Sequence, residues 1–272
     1  MMCIFCKKDS SSSKSVEHII PESLGNKSLI LPKGIVCDSC NNYFARKVEK
    51  KVLEKPYFKN IRYRNFITTK RGRLVPDKTL FPHKDGGWAN VWLDEKGFII
   101  DSKDQHIFEL IKDGKINKLV IPIIEQPKEN DCEVSRFLAK VAIEFLTDRI
   151  KNDDDWIEEI VTKVELDPLR NYARYGEGNF WKYHQRRIYG QDARFLDPVY
   201  HPEPYEILHE MDILYTEEMV MYFVVVIMGI EFAINLAQSE TDYFMSWLKK
   251  NNYVSPIKRF TEHMISEKYQ KL

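Results

Sequence analysis

Apolar residues at helical spacing predict the main helix of this chain. Across residues 133–150 they recur three or four positions apart, so they form one stripe along a helix. The pattern predicts a second helix over Asp153–Val164, whose acidic first turn suits the helix dipole. A third, short helix is predicted to begin at Asp167, with Asp as its cap and Pro168 in its first turn.

Alternating and continuous apolar segments predict strands elsewhere in the chain. Residues 57–125 are short alternating segments separated by Gly-containing turns, and they predict several β-hairpins. Between Tyr205 and Ala237 the pattern again favours strands, with Val220–Ile227 as a buried central strand and Gly229 at a turn. We therefore predict an α+β domain whose main helix packs on a sheet.

The first 56 residues predict a smaller unit of two strands and a helix. A β-branched run from Val16 stops at Pro21 and indicates a short strand, and Ile35-Val36 indicates a second one. From Asp38 the chain has helical spacing, and Pro56 ends that helix. A unit this small cannot bury a large core, so it needs a staple such as a metal ion.

Charge is balanced over the whole chain but not along it. The 41 Lys and Arg residues equal the 41 Asp and Glu residues, which excludes a uniformly basic nucleic-acid coat. Residues 1–75, however, carry 16 basic and 6 acidic side chains, which leaves 25 basic and 35 acidic ones for the rest. A basic N-terminal segment on an acidic body indicates contact with a polyanion. A lysine-rich solvated face is the alternative.

The apolar segments do not predict a membrane protein. The longest, Val220–Ile230, is well short of the roughly 20 residues that a bilayer span needs. The N-terminus lacks the basic flank, apolar stretch and cleavage site of a secretory signal. Aromatic residues make up 12% of the chain, which supplies enough core material to exclude disorder. We therefore expect a soluble, cytoplasmic protein without membrane contacts.

Four of the five cysteines form two Cys-x-x-Cys pairs, Cys3/Cys6 and Cys37/Cys40. Disulfides are rare in the cytosol, and two residues between thiolates let one turn aim both sulfurs at a single ion, about 2.3 Å away. The pairs therefore predict a structural zinc site, with a redox dithiol and chance as competing explanations. Cys132, just before the main helix, is predicted to be a buried small hydrophobe.

The elements around the cysteines resemble a known family when they are taken in order. They are Cys3-x-x-Cys6, Glu17-His18-Ile19-Ile20-Pro21, Gly25-Asn26 and Cys37-x-x-Cys40-Asn41. Together they resemble the zinc-containing branch of the HNH endonucleases, which are metal-dependent nucleases with a ββα-metal active site. The resemblance covers about a fifth of the chain and implies that residues 1–56 are an HNH nuclease module.

The resemblance implies a role for each matching side chain. The four cysteines would hold the structural zinc, and His18 would be the general base that activates water. Asn41 matches the residue that ligates a catalytic divalent ion, Mg²⁺ or Mn²⁺, and Glu17 occupies the place of an acidic ligand. Asn26 is a candidate for the asparagine that braces the loop between the strands.

The chemistry of these residue types agrees with the implied roles. Phosphodiester hydrolysis needs an activated water and a group that stabilises charge on the phosphate and the leaving oxygen. A neutral imidazole is the natural base near pH 7, and carboxylate and amide oxygens are hard ligands suited to Mg²⁺ or Mn²⁺. The structural alternatives are a core histidine or a zinc-site neighbour for His18, and a plain helix N-cap for Asn41.

Basic residues on and after the predicted helix are candidates for holding phosphates. Such contacts position a nucleic-acid backbone without reading its sequence, and a solvated helix face is the alternative for each residue. The candidates are Arg46, Lys47, Lys50, Lys51, Arg62 and Arg64. A second basic and aromatic-rich stretch, residues 170–187, is a candidate for binding nucleic acid or an anionic small molecule, with an ordinary surface loop as the alternative.

These observations predict two domains and one preferred function. Residues 1–56 form the nuclease module, and residues 57–272 form an α+β domain that sets substrate choice, regulation or assembly. The preferred hypothesis is a divalent-metal-dependent endonuclease, with DNA as the expected substrate and RNA left open. The alternatives are a zinc-stapled nucleic-acid binder without catalysis, and a nuclease gated by a ligand or partner at the C-terminal domain. Homo-oligomerisation through that domain also stays open.

Overall fold

The structure, a computed structural model, describes residues 1–94, 97–152, 154–190, 193, 195–197, 201–205 and 209–257. In chain order its helices are α1 (Asp38–Phe44), α2 (Lys50–Leu53), α3 (Pro56–Arg64), α4 (Gln105–Lys112), α5 (Cys132–Asp148), α6 (Asp154–Thr162), α7 (Asp167–Tyr175) and α8 (Asp242–Lys250). Its strands are β1 (Glu17–His18), β2 (Ile30–Leu31), β3 (Asp77–Leu80), β4 (Trp88–Asp94), β5 (Gly97–Asp101), β6 (Tyr183–Arg187), β7 (Phe195–Asp197), β8 (His201–Tyr205), β9 (His209–Tyr215), β10 (Met221–Ile227) and β11 (Ile230–Asn235). The predicted α+β class is confirmed.

The chain forms two compact units that do not follow the order of the sequence. The first unit combines Met1–Pro21, Asn26–Val52 and Lys128–Leu272, and the second combines Glu22–Gly25 with Leu53–Pro127. The predicted division into domains 1–56 and 57–272 stays a prediction. None of the described helices is long and apolar enough to cross a bilayer.

An antiparallel sheet of order β6-β11-β10-β9 forms the centre of the first unit. Strands β10 and β11 are joined by a two-residue turn at Met228 and Gly229, whose φ angles are 48° and 83°. Two successive positive φ angles are typical of the turn type that matches the twist of a hairpin. The predicted turn at Gly229 is therefore confirmed.

Helices cover both faces of this sheet. On one face α5 packs against it, with ring centroids of Phe145 and Phe223 5.4 Å apart. On the other face Phe244 and Leu248 of α8 join the cluster that contains Val224. A strand that is buried on both sides needs apolar residues at every position, which explains the continuous apolar run in β10.

The helices predicted after residue 130 are found close to their expected positions. Helix α5 begins after Asp131, whose side chain accepts hydrogen bonds from the N–H groups of Glu133 and Val134. Helices α6 and α7 match the other two predictions. One detail is wrong: the cap position of α7 is Leu166, and Asp167 is already helical.

The second unit contains a sheet of order β3-β4-β5 together with helices α3 and α4. The prediction of hairpins throughout 57–125 is therefore only partly right. Pro56 does not merely end the preceding helix, because it occupies the first turn of α3. The turn at Gly114 is one of the Gly-containing turns for which a hairpin was predicted. It lies instead at the end of α4, and the φ of Gly114 is 70°.

The N-terminal segment has the predicted order of two strands and a helix, with one strand displaced. Strand β1 pairs antiparallel with Ile30–Leu31, so the prediction of a second strand at Ile35-Val36 is wrong. Gly34 has a φ of 90°, and the N–H of Ile35 donates to the carbonyl of Pro32, so this segment is a turn. The helix that follows includes a π-helical turn over Ala45–Glu49 between α1 and α2.

Candidate functional site

The four paired cysteines meet at one point of the first unit. Their sulfur atoms all lie within 4.8 Å of one another, and the Sγ atoms of Cys6 and Cys37 are 3.6 Å apart. A tetrahedral zinc with Zn–S bonds of about 2.3 Å requires sulfur separations of about 3.8 Å. The four thiols therefore fit a zinc ion.

The backbone around the cysteines supports thiolate ligands. The N–H groups of Cys37 and Cys40 donate to the sulfurs of Cys3 and Cys37, at N–S distances of 3.3 and 3.4 Å. The hydrogen bond with Cys40 lowers the pKa of Cys3 to about 4, whereas the same bond, together with burial, raises the pKa of Cys40. Because zinc binds thiolates, its binding displaces the remaining thiol protons. Cys132 lies outside this cluster and is exposed, so its predicted burial is wrong.

Asn26 braces the loop between β1 and β2. Its Nδ2 donates to the carbonyls of Ile20 and Leu29, at 2.6 and 3.0 Å. Its Oδ1 accepts from the N–H groups of Ser28 and Leu29, at 3.1 and 2.9 Å. One buried side chain thus takes part in four hydrogen bonds that hold the loop, which is the bracing role that the family resemblance implied for Asn26.

Asn41 is hydrogen-bonded to the main chain just before β1, the strand that carries His18. Asn41 lies in the first turn of α1, directly after Cys40, and its Nδ2 donates to the carbonyl of Val16 at 2.8 Å. Val16 directly precedes β1, and His18, the second residue of β1, is half-buried. Since Nδ2 is engaged in this way, the amide oxygen of Asn41 is the atom available to a ligand.

Glu17 lies in a buried ionic cluster with a residue of the main helix. The ammonium of Lys140, which is completely buried in α5, is 2.7 Å from Oε1 of Glu17 and 2.7 Å from Oε1 of Glu49. It also lies 3.0 Å from Oε2 of Glu144 and donates to the carbonyl of His18 at 3.1 Å. We call Lys140, Glu17, Glu49 and Glu144 the Lys140 cluster.

The electrostatics of the Lys140 cluster keep its cation charged. Burial by itself lowers the pKa of Lys140, but the three carboxylates outweigh burial and leave that pKa well above its usual value. Burial raises the pKa of Glu144 well above the usual range. Sequence reasoning missed Lys140, Glu49 and Glu144, since an i, i+4 Lys–Glu pair on a helix ordinarily indicates an exposed face.

The predicted phosphate-binding residues occupy different environments. Arg46 and Lys47 are exposed on the π-helical turn of the first unit. Lys50 is also exposed, and Lys51 lies 3.7 Å from Glu133. The other two candidates, Arg62 and Arg64, belong to α3 of the second unit. Arg62 is only 7% exposed, and burial lowers its pKa.

The basic stretch over residues 170–187 contains a structural arginine. Arg170 is buried, and its guanidinium donates to the carbonyl of Ile4 at 2.8 Å, inside the first Cys-x-x-Cys turn. The same guanidinium pairs with Asp167 at 2.6 Å, and Asp167 also pairs with Lys7 at 2.6 Å. Both alternatives predicted for this stretch, a ligand-binding site and an ordinary surface loop, are wrong for Arg170. Its buried side chain instead connects the first Cys-x-x-Cys turn to α7.

The N-terminal segment combines two short strands and a helix with four cysteines that are placed to bind a metal such as zinc. Residues 3–56 match the family model described as HNH endonuclease, so the N-terminal segment is a module of that family. The match covers about a fifth of the chain, and it supports a nucleic-acid-cleaving function in general. No curated protein and no solved structure was found to match the chain.

Removing one cysteine of the cluster should release the metal. We expect Cys37→Ser to lower the zinc content of the full-length protein from about one ion per chain to none and to reduce its melting temperature. Cys132→Ser is the matched control, because Cys132 is exposed and outside the cluster, and it should retain zinc. Elemental analysis after gel filtration measures both variants, and a Cys37→Ser protein with full zinc would contradict the assignment.

Proposed function

We propose that the protein is a divalent-metal-dependent endonuclease that hydrolyses phosphodiester bonds in nucleic acid, with DNA as the expected substrate. The observation that carries the proposal is the hydrogen bond from Asn41 to the carbonyl of Val16. It joins the first turn of α1 to the main chain just before β1, so a hard oxygen ligand and a candidate base lie on two connected segments next to the four cysteines.

His18 acts as the general base in this proposal. Its imidazole takes a proton from a water molecule while an electron pair of the water oxygen forms a bond to phosphorus. The bond from phosphorus to the bridging sugar oxygen breaks with its electron pair, and that oxygen takes a proton from solvent. His18 then returns its own extra proton to solvent, which restores the starting state.

Asn41 is the residue that we propose as a ligand of a catalytic Mg²⁺ or Mn²⁺. An amide oxygen is a hard ligand of the kind such ions accept, with water and phosphate completing the shell. A bound divalent ion supplies charge stabilisation at the phosphate and the leaving oxygen. For Glu17, predicted as a second ligand, the ion pair with Lys140 favours a supporting role instead.

Arg46 and Lys47 are proposed to hold the nucleic-acid backbone. Both are exposed on the turn that follows Asn41 in the same helix, and Lys50 and Lys51 extend this basic row by one turn. Lysine and arginine side chains bind phosphates without regard to sequence. Arg62 is left out of the proposal because so little of it is exposed.

Loss of the base should abolish cleavage but not binding. We expect His18→Ala to lower the cleavage rate of the full-length protein by about 10²- to 10⁴-fold, the usual contribution of a general base. Plasmid, single-stranded DNA and RNA are incubated with Mg²⁺, Mn²⁺ or EDTA, and affinity is measured separately by fluorescence anisotropy. His106→Ala, an exposed histidine of α4, is the control and should cleave normally. Equal cleavage by His18→Ala would contradict the mechanism, and binding without cleavage in the wild type would favour a non-catalytic binder.

Loss of the proposed ligand should raise the metal requirement. We expect Asn41→Ala to shift the Mg²⁺ concentration for half-maximal cleavage upward by about 10-fold or more, because removing a metal-site group commonly costs 10- to 100-fold in affinity. Asn42→Ala changes the neighbouring, exposed asparagine and should leave the Mg²⁺ titration unchanged. The proposal is wrong for Asn41 if both variants titrate like the wild type.

Removing the exposed basic pair should weaken binding in a salt-dependent way. We expect Arg46→Ala/Lys47→Ala to reduce the slope of log affinity against log salt by about 2, since each phosphate contact contributes about 0.9. Anisotropy titrations at several salt concentrations measure this slope. Lys163→Ala removes a charge elsewhere in the first unit and should keep the wild-type slope. An unchanged slope in the double variant would exclude these two side chains from the interface.

A further inference from the structure

The Lys140 cluster is built around the strand that carries the candidate base. One ammonium reaches three parts of the first unit: β1 through Glu17 and the carbonyl of His18, the π-helical turn through Glu49, and its own helix through Glu144. Lys140 and Glu144 are completely buried, Glu17 is 5% exposed and Glu49 is 12% exposed. The contacts are therefore shielded from water and salt.

Strand β1 needs such a support because its own sheet is small. It has two residues, and its ladder with β2 consists of the pairs Glu17 with Leu31 and His18 with Ile30. So short a ladder cannot by itself fix the direction of a side chain against thermal motion. The contact of Lys140 with the carbonyl of His18 fixes the main chain at the residue whose imidazole must meet the water.

Stability alone does not account for a buried cation at this place. Apolar residues of similar volume usually stabilise a protein core as well as a buried ion pair does. What an ammonium adds is direction, since its three hydrogens hold specific oxygen atoms of different segments at fixed distances. Here those oxygens belong to Glu17, to His18 and to the helix that follows Asn41.

We propose that Lys140 is a positioning residue of the nuclease site, which aims the imidazole of His18 by fixing the main chain of His18 and the carboxylate of Glu17. The inference rests on the proposed function, which makes His18 the base. Lys140 lies 122 residues beyond His18 in the chain and outside the family match of residues 3–56. The site is therefore completed by a residue of α5 that the family match does not contain.

The test compares Lys140→Met with Leu248→Ala in the full-length protein. Lys140→Met keeps an unbranched apolar stem of four heavy atoms and removes the ammonium. Leu248→Ala destabilises the first unit from α8, on the other face of the sheet, without touching the cluster. Two quantities are measured: amide hydrogen exchange of peptides covering residues 16–31, and kcat and KM per zinc-loaded molecule.

We expect Lys140→Met to accelerate exchange in residues 16–31 and to lower kcat on the order of 10- to 100-fold with little change in KM, because small displacements of a catalytic group cost that much. Leu248→Ala should lower the melting temperature while keeping kcat per zinc-loaded molecule. If Lys140→Met does not fold, Lys140→Met/Glu17→Gln/Glu144→Gln removes the ammonium together with the charges of its two most buried partners, so that these partners are not left as buried charges without a cation, and the same readouts apply.

The outcomes separate this inference from the proposed function. Unchanged exchange in residues 16–31 overturns the positioning role whether or not the protein is a nuclease. Faster exchange with an unchanged kcat, in a protein whose His18→Ala variant is inactive, also overturns it. If the wild type cleaves nothing, the proposed function fails, and the inference fails with it because Lys140 then has no catalytic base to position. The exchange result in that case still shows whether Lys140 holds residues 16–31 in place as a structural residue.

Discussion

The buried ammonium of Lys140 is the interaction on which the arrangement of the first unit depends. A charge in a dry interior has to be surrounded by oxygen atoms, and here the oxygens come from β1, from the π-helical turn and from α5 itself. Helix α5 is therefore buried on two sides for different reasons. One side packs apolar residues on the central sheet, and the other presents an ionic group to the N-terminal segment.

The N-terminal segment contains a cysteine cluster that is placed to bind a metal, and side chains outside the segment also hold it. Four cysteines staple the turn before β1 to the start of α1, which replaces the core that so short a segment cannot form. Arg170 of α7 holds the carbonyl of Ile4 in the first cysteine turn, and Lys140 of α5 holds the carbonyl of His18. Each long side chain binds a main-chain carbonyl, so the first cysteine turn and the main chain of His18 are tied to α7 and α5, two helices that pack on each other.

The sequence predicted the parts of this structure that depend on local spacing. The cysteine pairs, the helix at α5 and the glycine turn after β10 each follow from residues that are close in the chain. The roles of Lys140 and Arg170 could not be predicted, because the carbonyls of His18 and Ile4 that they hold lie more than 100 residues away, and because exposed and buried charges look alike in a sequence. The second strand was misplaced because strand propensity favours the two β-branched residues Ile35-Val36 over Ile30–Leu31. The turn at Gly34 excludes the first pair, and β1 pairs with the second.

The two residues of strand β1 have different surroundings and can therefore have different roles. Successive residues of a strand face opposite ways, so Glu17 and His18 cannot both face the same neighbour. Glu17 is buried against Lys140, whereas His18 remains partly open. The division explains why a glutamate suits this position, because its longer side chain reaches an ammonium on a separate helix. Under the proposed function, a catalytic ion would therefore depend on Asn41, water and phosphate more than on Glu17, and such a sparse ligand set is typical of sites that bind Mg²⁺ together with substrate.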